Sequence, residues 1–247
     1  MRTIPLEVLI LMLGTLGSVG LLGCGDKDDT GPEGDTDTDT DTDTDTDTDT
    51  DADTDVGPCG AWTGIQGVGS TWSYDFDDDG ISGTVDNEIT AYDAGTGLVS
   101  AESYSMLETV DYSIVSTTTT DYRCDSDGYW MLYQYTEYNM DYSGTVYDGW
   151  SSATYEAGAL LMPADIAVGD TWVTSYSGFT ESSVSGPSAV DVTVNQQVVE
   201  EAQVTVPAGT YDTMYVEFTG DGEGYSNIAR GVGQVKSNIT VLTSYTP

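Results

Sequence analysis

The alternation of apolar and polar residues between positions 71 and 245 is the feature that most constrains the fold of this chain. No window in this part has the sustained apolar repeat of about 3.6 residues that an amphipathic helix needs. Clusters of Gly, Asp and Asn separate the alternating segments, as turns between strands require. The segments predicted as strands are 71–76, 85–92, 110–119, 129–138, 145–155, 171–176, 190–194, 198–206, 214–218 and 234–245.

Short turns of this kind join strands that are antiparallel neighbours. The sequence therefore predicts a mostly β domain over residues 58–247. We expect a single curved antiparallel sheet or half-barrel of about ten strands, with a β-sandwich as the alternative. Gly-Ser-Thr-Trp at residues 69–72 is echoed by Gly-Asp-Thr-Trp at residues 169–172. This echo indicates that a Trp enters the core at the start of each half of the sheet.

Leu-Leu-Gly-Cys at residues 21–24 closes an apolar run that begins at Val8. The run is shorter than the ~20 apolar residues of a transmembrane helix. The four residues resemble the lipobox of bacterial lipoproteins, which implies that residues 1–23 are a signal peptide and that Cys24 carries lipid. Ordinary signal cleavage, which would leave a free thiol, is the alternative. The sequence after Cys24, with Gly25 and then Lys-Asp-Asp, resembles lipoproteins of the outer membrane and of the cell surface.

Residues 24–57 are dominated by an alternating Asp-Thr tract. Both faces of such a segment are polar, so it has no apolar surface to bury and is predicted to be disordered. Repulsion between its charges extends it, to on the order of 100 Å at full extension. We interpret it as a stalk between the lipid anchor and the β domain.

The charge of the chain excludes several classes of function. The net charge is −38 and there is no histidine. Nucleic acids are excluded as partners because phosphate contacts need clusters of Lys and Arg. Serine and cysteine mechanisms that use a histidine base are excluded as well.

Three motifs carry a family resemblance. They are the Gly-Asp-Thr-Trp element, which follows the apolar-Pro segment 160–163, and Val-Thr-Val-Pro-Ala-Gly-Thr-Tyr at 204–211, followed by Gly-Val-Gly-Gln-Val-Lys at 231–236. They resemble uncharacterised Gram-negative lipoproteins that are similar to the LolA/LolB-like carriers. The resemblance implies a curved antiparallel half-barrel and the carriage of an apolar or lipid-like ligand. It implies no catalytic residues.

One acidic segment has the spacing of a calcium loop. Asp75, Asp77, Asp79 and Gly80 match positions 1, 3, 5 and 6 of a twelve-residue loop, and Asp86 falls on position 12. Oxygen ligands at this spacing could bind Ca²⁺, although a polar hairpin turn explains the same residues and is the default. We otherwise expect no cofactor.

Cys59 and Cys124 remain once Cys24 is lipidated. In an oxidising envelope compartment they are candidates for a disulfide, although the sequence does not fix their separation.

Aromatic residues crowd two predicted strands. They are Tyr122, Tyr129, Trp130, Tyr133, Tyr135, Tyr138 and Tyr142, followed by Tyr147, Trp150 and Tyr155. A Tyr-Trp row beside carboxylates is typical of glycan-binding surfaces, but core packing and cross-strand pairing explain individual rings as well. The carboxylates of Glu137 and Glu156 could in principle form a glycosidase pair.

Together these features predict a lipid-anchored envelope protein with a β-rich binding or structural module, and not an enzyme. A periplasm-facing carrier of an apolar or lipid-like ligand and a glycan-active hydrolase are the alternatives. The expected partners are the membrane, through the anchor, and a glycan or apolar ligand. The oligomeric state is left open.

Overall fold

A computed structural model describes residues 59–183 and 186–247, so the signal peptide, Cys24 and the acidic tract lie outside the described residues. The strands are β1 (Thr71–Asp78), β2 (Ile81–Asp93), β3 (Leu98–Glu108), β4 (Tyr112–Asp125), β5 (Gly128–Tyr142), β6 (Thr145–Pro163), β7 (Thr171–Ser182), β8 (Ser188–Val206), β9 (Gly209–Gly220), β10 (Gly224–Ala229), β11 (Gly233–Ser237) and β12 (Thr240–Thr246). The described part of the chain contains no helix, which confirms the mostly β prediction.

Each strand pairs with the strand before it and the strand after it in the chain, and β12 pairs with β1. The single antiparallel sheet therefore closes into a barrel of twelve strands. The prediction of an open half-barrel of about ten strands is wrong in its openness and in its strand number. Closure is made by the antiparallel register that runs from Thr71 opposite Thr246 to Phe76 opposite Thr240, which leaves neither end strand with an open edge.

The alternation seen in the sequence divides the barrel wall into an inner and an outer face. On β1, Trp72, Tyr74 and Phe76 are buried while the residues between them are at least partly exposed. The interior is filled by side chains, among which Leu161, Val198 and Leu242 are no more than 1% exposed.

Residues 59–70 cross one end of the barrel, which we call the closed end. The Trp62 indole donates a hydrogen bond to Asp165 Oδ1 at 2.8 Å, just beyond the end of β6. The Trp72 indole donates to the carbonyl of Val232 at 2.7 Å, between β10 and β11. The Tyr245 hydroxyl lies 2.9 Å from the carbonyl oxygen of Gly64. Trp62 and Trp72 are therefore tied to distant parts of the chain, and residues 59–70 are held as part of the core.

Candidate functional site

The side wall formed by β4, β5 and β6 places polar and aromatic side chains in rows. Thr117 lies opposite Glu137 on β5, and Glu137 lies opposite Trp150 on β6. In the next row Asn139 lies opposite Asp148. Thr117, Glu137, Asn139 and Asp148 are exposed, and their neighbours in sequence on β4 and β5 are buried. The rows therefore lie on the outer face of the barrel.

A groove of about 510 Å³ opens on this wall and is lined by Thr117, Glu137, Asn139, Asp148 and Trp150, among other residues. Its volume is within the range of about 300–1,000 Å³ that small-molecule sites occupy. We call it the wall groove.

Trp150 supplies the aromatic surface of the wall groove. The Tyr135 ring lies beside it, with ring centroids 6.2 Å apart and ring planes 24° from parallel. Tyr135 is not among the residues that line the groove, so it supports Trp150 from the side. The Tyr135 hydroxyl donates to Glu137 Oε1 at 3.1 Å. Desolvation, and after it this hydrogen bond, raise the pKa of Tyr135. The same bond orients the Glu137 carboxylate.

A polar pair, Asn139 and Asp148, lies beside the aromatic pair Tyr135 and Trp150. Asn139 Nδ2 donates to Asp148 Oδ1 at 2.6 Å across the β5–β6 ladder. Asp148 is the diagonal neighbour of Glu137, a spacing of about 7–8 Å in an antiparallel sheet. The groove thus combines one indole, two oriented carboxylates and one amide with the hydroxyl groups of Ser116, Thr117, Tyr138 and Ser183. Carboxylates only accept hydrogen bonds, so this set is suited to a ligand rich in hydroxyl donors.

Gly149 leaves room beside the backbone of β6 for the side chains of Tyr138 and Ser183. It lies opposite Tyr138, and a Cβ atom at Gly149 would overlap the Tyr138 hydroxyl and Ser183 Oγ. Ser183 Oγ in turn accepts a hydrogen bond from the Trp150 backbone amide at 3.2 Å. The backbone that carries Trp150 is therefore held from β5 and from the end of β7.

The predicted aromatic cluster is divided between the two faces of the barrel. Tyr122 and Tyr129 are buried, with ring centroids 4.6 Å apart, and burial raises the pKa of Tyr129 well above its ordinary value. Tyr138 and Tyr155 are buried too. Trp130 lies at the outer surface, where the Arg123 guanidinium is 5.2 Å from its ring centroid. The remaining members, Tyr133, Tyr135, Tyr142, Tyr147 and Trp150, keep part of their surface exposed.

A small cavity lies among the buried rings at the closed end. It measures about 70 Å³, and its lining includes Trp62, Trp72, Tyr122 and Tyr129. A cavity of this size has room for a few water molecules and is far below the volume of a typical ligand pocket.

The predicted carboxylate pair is not brought together. Glu137 lies opposite Trp150, and Glu156 lies six residues further along the same strand, which corresponds to roughly 20 Å. A glycosidase pair is separated by about 5–9.5 Å. The Glu137–Glu156 pairing is therefore wrong as a catalytic geometry.

The predicted calcium loop is a tight hairpin. Asp79 and Gly80 form the turn between β1 and β2, with φ of 44° and 84°, as in a type I′ turn. Asp75 lies opposite Thr84 and Asp86 lies opposite Ser73, so the aspartates are spread along the two strands. Among the described residues, no group of three or more Asp, Glu or Cys side chains is placed to hold a metal ion. Asp75, Asp77, Asp79 and Asp86 are therefore not gathered around one point.

Cys59 and Cys124 form a disulfide with a Cα–Cα distance of 4.8 Å. The bond connects the beginning of residues 59–70 to the end of β4. The backbone amide of Cys124 also donates to the carbonyl of Gly97 at 2.8 Å. Cys59, which precedes β1 in the chain, is therefore joined covalently to β4 at the closed end.

Sequence reasoning named Trp150 and Glu137 but did not place them side by side, and it missed Asn139 and Asp148. Ser143 and Gly144 carry the signal that could have found the site. Both residues have positive φ, 51° and 83°, as a two-residue I′ hairpin requires. This turn fixes Tyr142 opposite Thr145 and, counting back along both strands, Glu137 opposite Trp150.

Within residues 59–183 and 186–247, no helix combines the length and the apolar character needed to cross a membrane. Comparisons of the chain with protein-family models, with curated proteins and with solved structures found no match.

Proposed function

We propose that this protein is a lipid-anchored lipoprotein of the bacterial outer membrane whose barrel is a binding module held on an acidic stalk. The observation that carries the proposal is the contrast between the two faces of the barrel. The interior is packed with side chains around a cavity of about 70 Å³, whereas the outer wall has a groove of about 510 Å³ lined by aromatic and polar groups. A ligand of ordinary size therefore fits the wall and not the interior.

The position of Cys59 indicates how the binding module is oriented on the predicted stalk. Cys59 follows the predicted stalk directly and is bonded to Cys124 at the closed end. The wall groove lies toward the opposite end of β4, β5 and β6, near the Ser143-Gly144 turn. A ligand can therefore approach the groove without passing the stalk. The carriage of a lipid-like ligand, which the resemblance to the LolA/LolB-like carriers implies, is not favoured, because the cavity among the buried rings measures about 70 Å³ and a ligand pocket takes about 300 Å³ or more.

Cell fractionation tests the anchor, and proteolysis of intact cells tests the exposure. Cys24→Ser should move the protein from the membrane fraction to the soluble fraction, because the lipid attachment atom is removed. Proteinase K added to intact cells should remove the wild-type domain from the outer surface. Membrane association that is unchanged in Cys24→Ser would contradict the anchor. Protection of the domain until the envelope is permeabilised would contradict surface exposure.

A further inference from the structure

The wall groove has a chemistry that selects one class of ligand. Its two charged groups, Glu137 and Asp148, only accept hydrogen bonds, while Asn139 adds an amide and Ser116, Thr117, Tyr138 and Ser183 add hydroxyl groups. One N–H of the Asn139 amide is engaged with Asp148 Oδ1 at 2.6 Å. A ligand that presents several donors within a short distance, as the neighbouring hydroxyl groups of a sugar do, satisfies the two carboxylates.

Trp150 adds an apolar contact surface beside these acceptors. One face of a pyranose ring carries C–H groups, which pack on the negative face of an indole, while its hydroxyl groups project from the ring edge. In the groove, Glu137 lies directly opposite Trp150 and Asp148 lies in the adjacent row. A sugar ring on Trp150 would therefore have both carboxylates at its edge.

Charge excludes the acidic polysaccharides from this site. The chain has a net charge of −38, and among the described residues that line the groove there is no Lys or Arg. An anionic polymer would be repelled by the carboxylates and by the overall field. An acidic saccharide is therefore not expected to bind there.

One other ligand class fits the geometry less well. A quaternary ammonium group is held by several rings that enclose it, whereas Trp150 is the one indole in the groove and Tyr135 lies nearly parallel to it at 6.2 Å.

From these observations we infer that the wall groove binds a neutral saccharide, with Trp150 stacked on a sugar ring and with Glu137 and Asp148 accepting hydrogen bonds from its hydroxyl groups. The inference rests on the proposed binding function of the wall and adds the class of ligand. Asn139 and Tyr135 act as positioning residues, since each donates a hydrogen bond to one of the two carboxylates.

Calorimetry and tryptophan fluorescence with defined probes test the inference on the full chain. The probes are cellohexaose, maltohexaose and N-acetylchitohexaose as neutral saccharides, oligogalacturonate as the acidic saccharide and choline as the quaternary amine. We expect at least one neutral hexasaccharide to bind at millimolar concentration or better, and neither oligogalacturonate nor choline to compete with it.

Trp150→Ala should weaken that binding by about tenfold or more, a change of about 1.4 kcal/mol. The matched control is Trp130→Ala, which removes an indole from the same outer surface but outside the groove and should leave the affinity within about twofold. Glu137→Gln keeps the size of the side chain, removes its charge and replaces one acceptor oxygen with an NH₂ donor. It should weaken binding severalfold and tests the site even if Trp150→Ala does not fold.

Failure to bind any neutral hexasaccharide would overturn the inference, as would equal binding by wild type and the Trp150→Ala and Glu137→Gln variants. Binding of choline or oligogalacturonate at Trp150 would overturn the ligand class. None of these results depends on the lipid anchor, so they are distinct from a failure of the Cys24→Ser and proteinase K measurements. If the protein is anchored and surface-exposed but does not bind neutral saccharides, this inference is refuted and the proposed anchor and exposure are not.

Discussion

Removal of the disulfide by the double change Cys59→Ser and Cys124→Ser should destabilise the barrel strongly. The bond closes a loop with a sequence separation of 65 residues. A loop of this length loses enough chain entropy in the unfolded state for a stabilisation of about 4 kcal/mol. For a domain of this size, that corresponds to a fall in melting temperature of about 8–16 °C.

The native barrel should still form in the double variant. The Trp62 indole keeps its hydrogen bond to Asp165, and the Gly231 amide keeps its bond to the carbonyl of Ala61 at 2.6 Å. Residues 59–70 therefore remain attached to the closed end through contacts that do not involve the cysteines.

Urea unfolding followed by circular dichroism measures the effect. Wild type and the double variant are compared without reductant, and wild type in dithiothreitol serves as the control that should match the variant. A difference below about 1 kcal/mol between oxidised wild type and the variant would refute the reasoning, because the predicted loop-closure entropy would then be absent.

Three further predictions follow from local features of the barrel. Burial and the nearby Asp221 carboxylate raise the pKa of Tyr176 to about 12, whereas the unfolded value is about 10. The stability that the protonated Tyr176 confers is therefore complete below about pH 10 and is lost as the pH rises toward 12. Absorbance at 295 nm and circular dichroism should therefore show buried tyrosines ionising together with unfolding, and ionisation of every tyrosine near pH 10 in a folded barrel would contradict this. Gly64→Ala should destabilise the protein by clearly more than Gly169→Ala, because both glycines have positive φ, 71° and 95°, but only at Gly64 would the new Cβ overlap the Val232 carbonyl. Gly169→Ala should lose only the ~1–2 kcal/mol of the left-handed backbone, and equal losses in urea unfolding would refute the contact. Because Asp75, Asp77, Asp79 and Asp86 are spread along a hairpin, the melting temperature should be the same in calcium and in chelator, whereas a rise in calcium would indicate a site.

The strand content of the barrel could be predicted from the sequence, but the number of strands could not. Residues 98–108 and 224–229 form β3 and β10 without a predicted counterpart, since β3 has only a short apolar alternation and β10 has four consecutive buried positions. Segments 190–194 and 198–206 were expected to be separate and are one strand, β8, which stays continuous through an irregularity between Val198 and Glu200.

The opposite error occurred at the end of the chain. Segment 234–245 was expected to be one strand, but it turns at Asn238 and Ile239 to give β11 and β12. The hydroxyl of Ser237 accepts hydrogen bonds from the amides of Ile239 and Thr240 at 3.2 and 3.0 Å. A serine that satisfies turn amides in this way is a weaker signal than Gly or Pro.

Closure of the sheet was beyond the reach of sequence patterns. Alternation shows that one face is buried, and it is the same for an open half-barrel and for a closed barrel. The pairing of Thr71 with Thr246 joins the residues of the ladder that are farthest apart in the sequence. No local sequence motif predicts this pairing. The wall groove was partly accessible, because the Ser143-Gly144 turn sets the register that places Trp150 opposite Glu137.

Hydrogen–deuterium exchange with and without a bound neutral hexasaccharide tests most directly whether the ligand lies on the wall and not in the interior. We predict that protection rises in peptides that cover residues 115–119, 135–139 and 146–152, which carry the lining of the wall groove. Peptides around Trp62, Trp72 and Tyr129, which line the interior cavity, should be unchanged. Protection confined to these interior peptides would contradict the account.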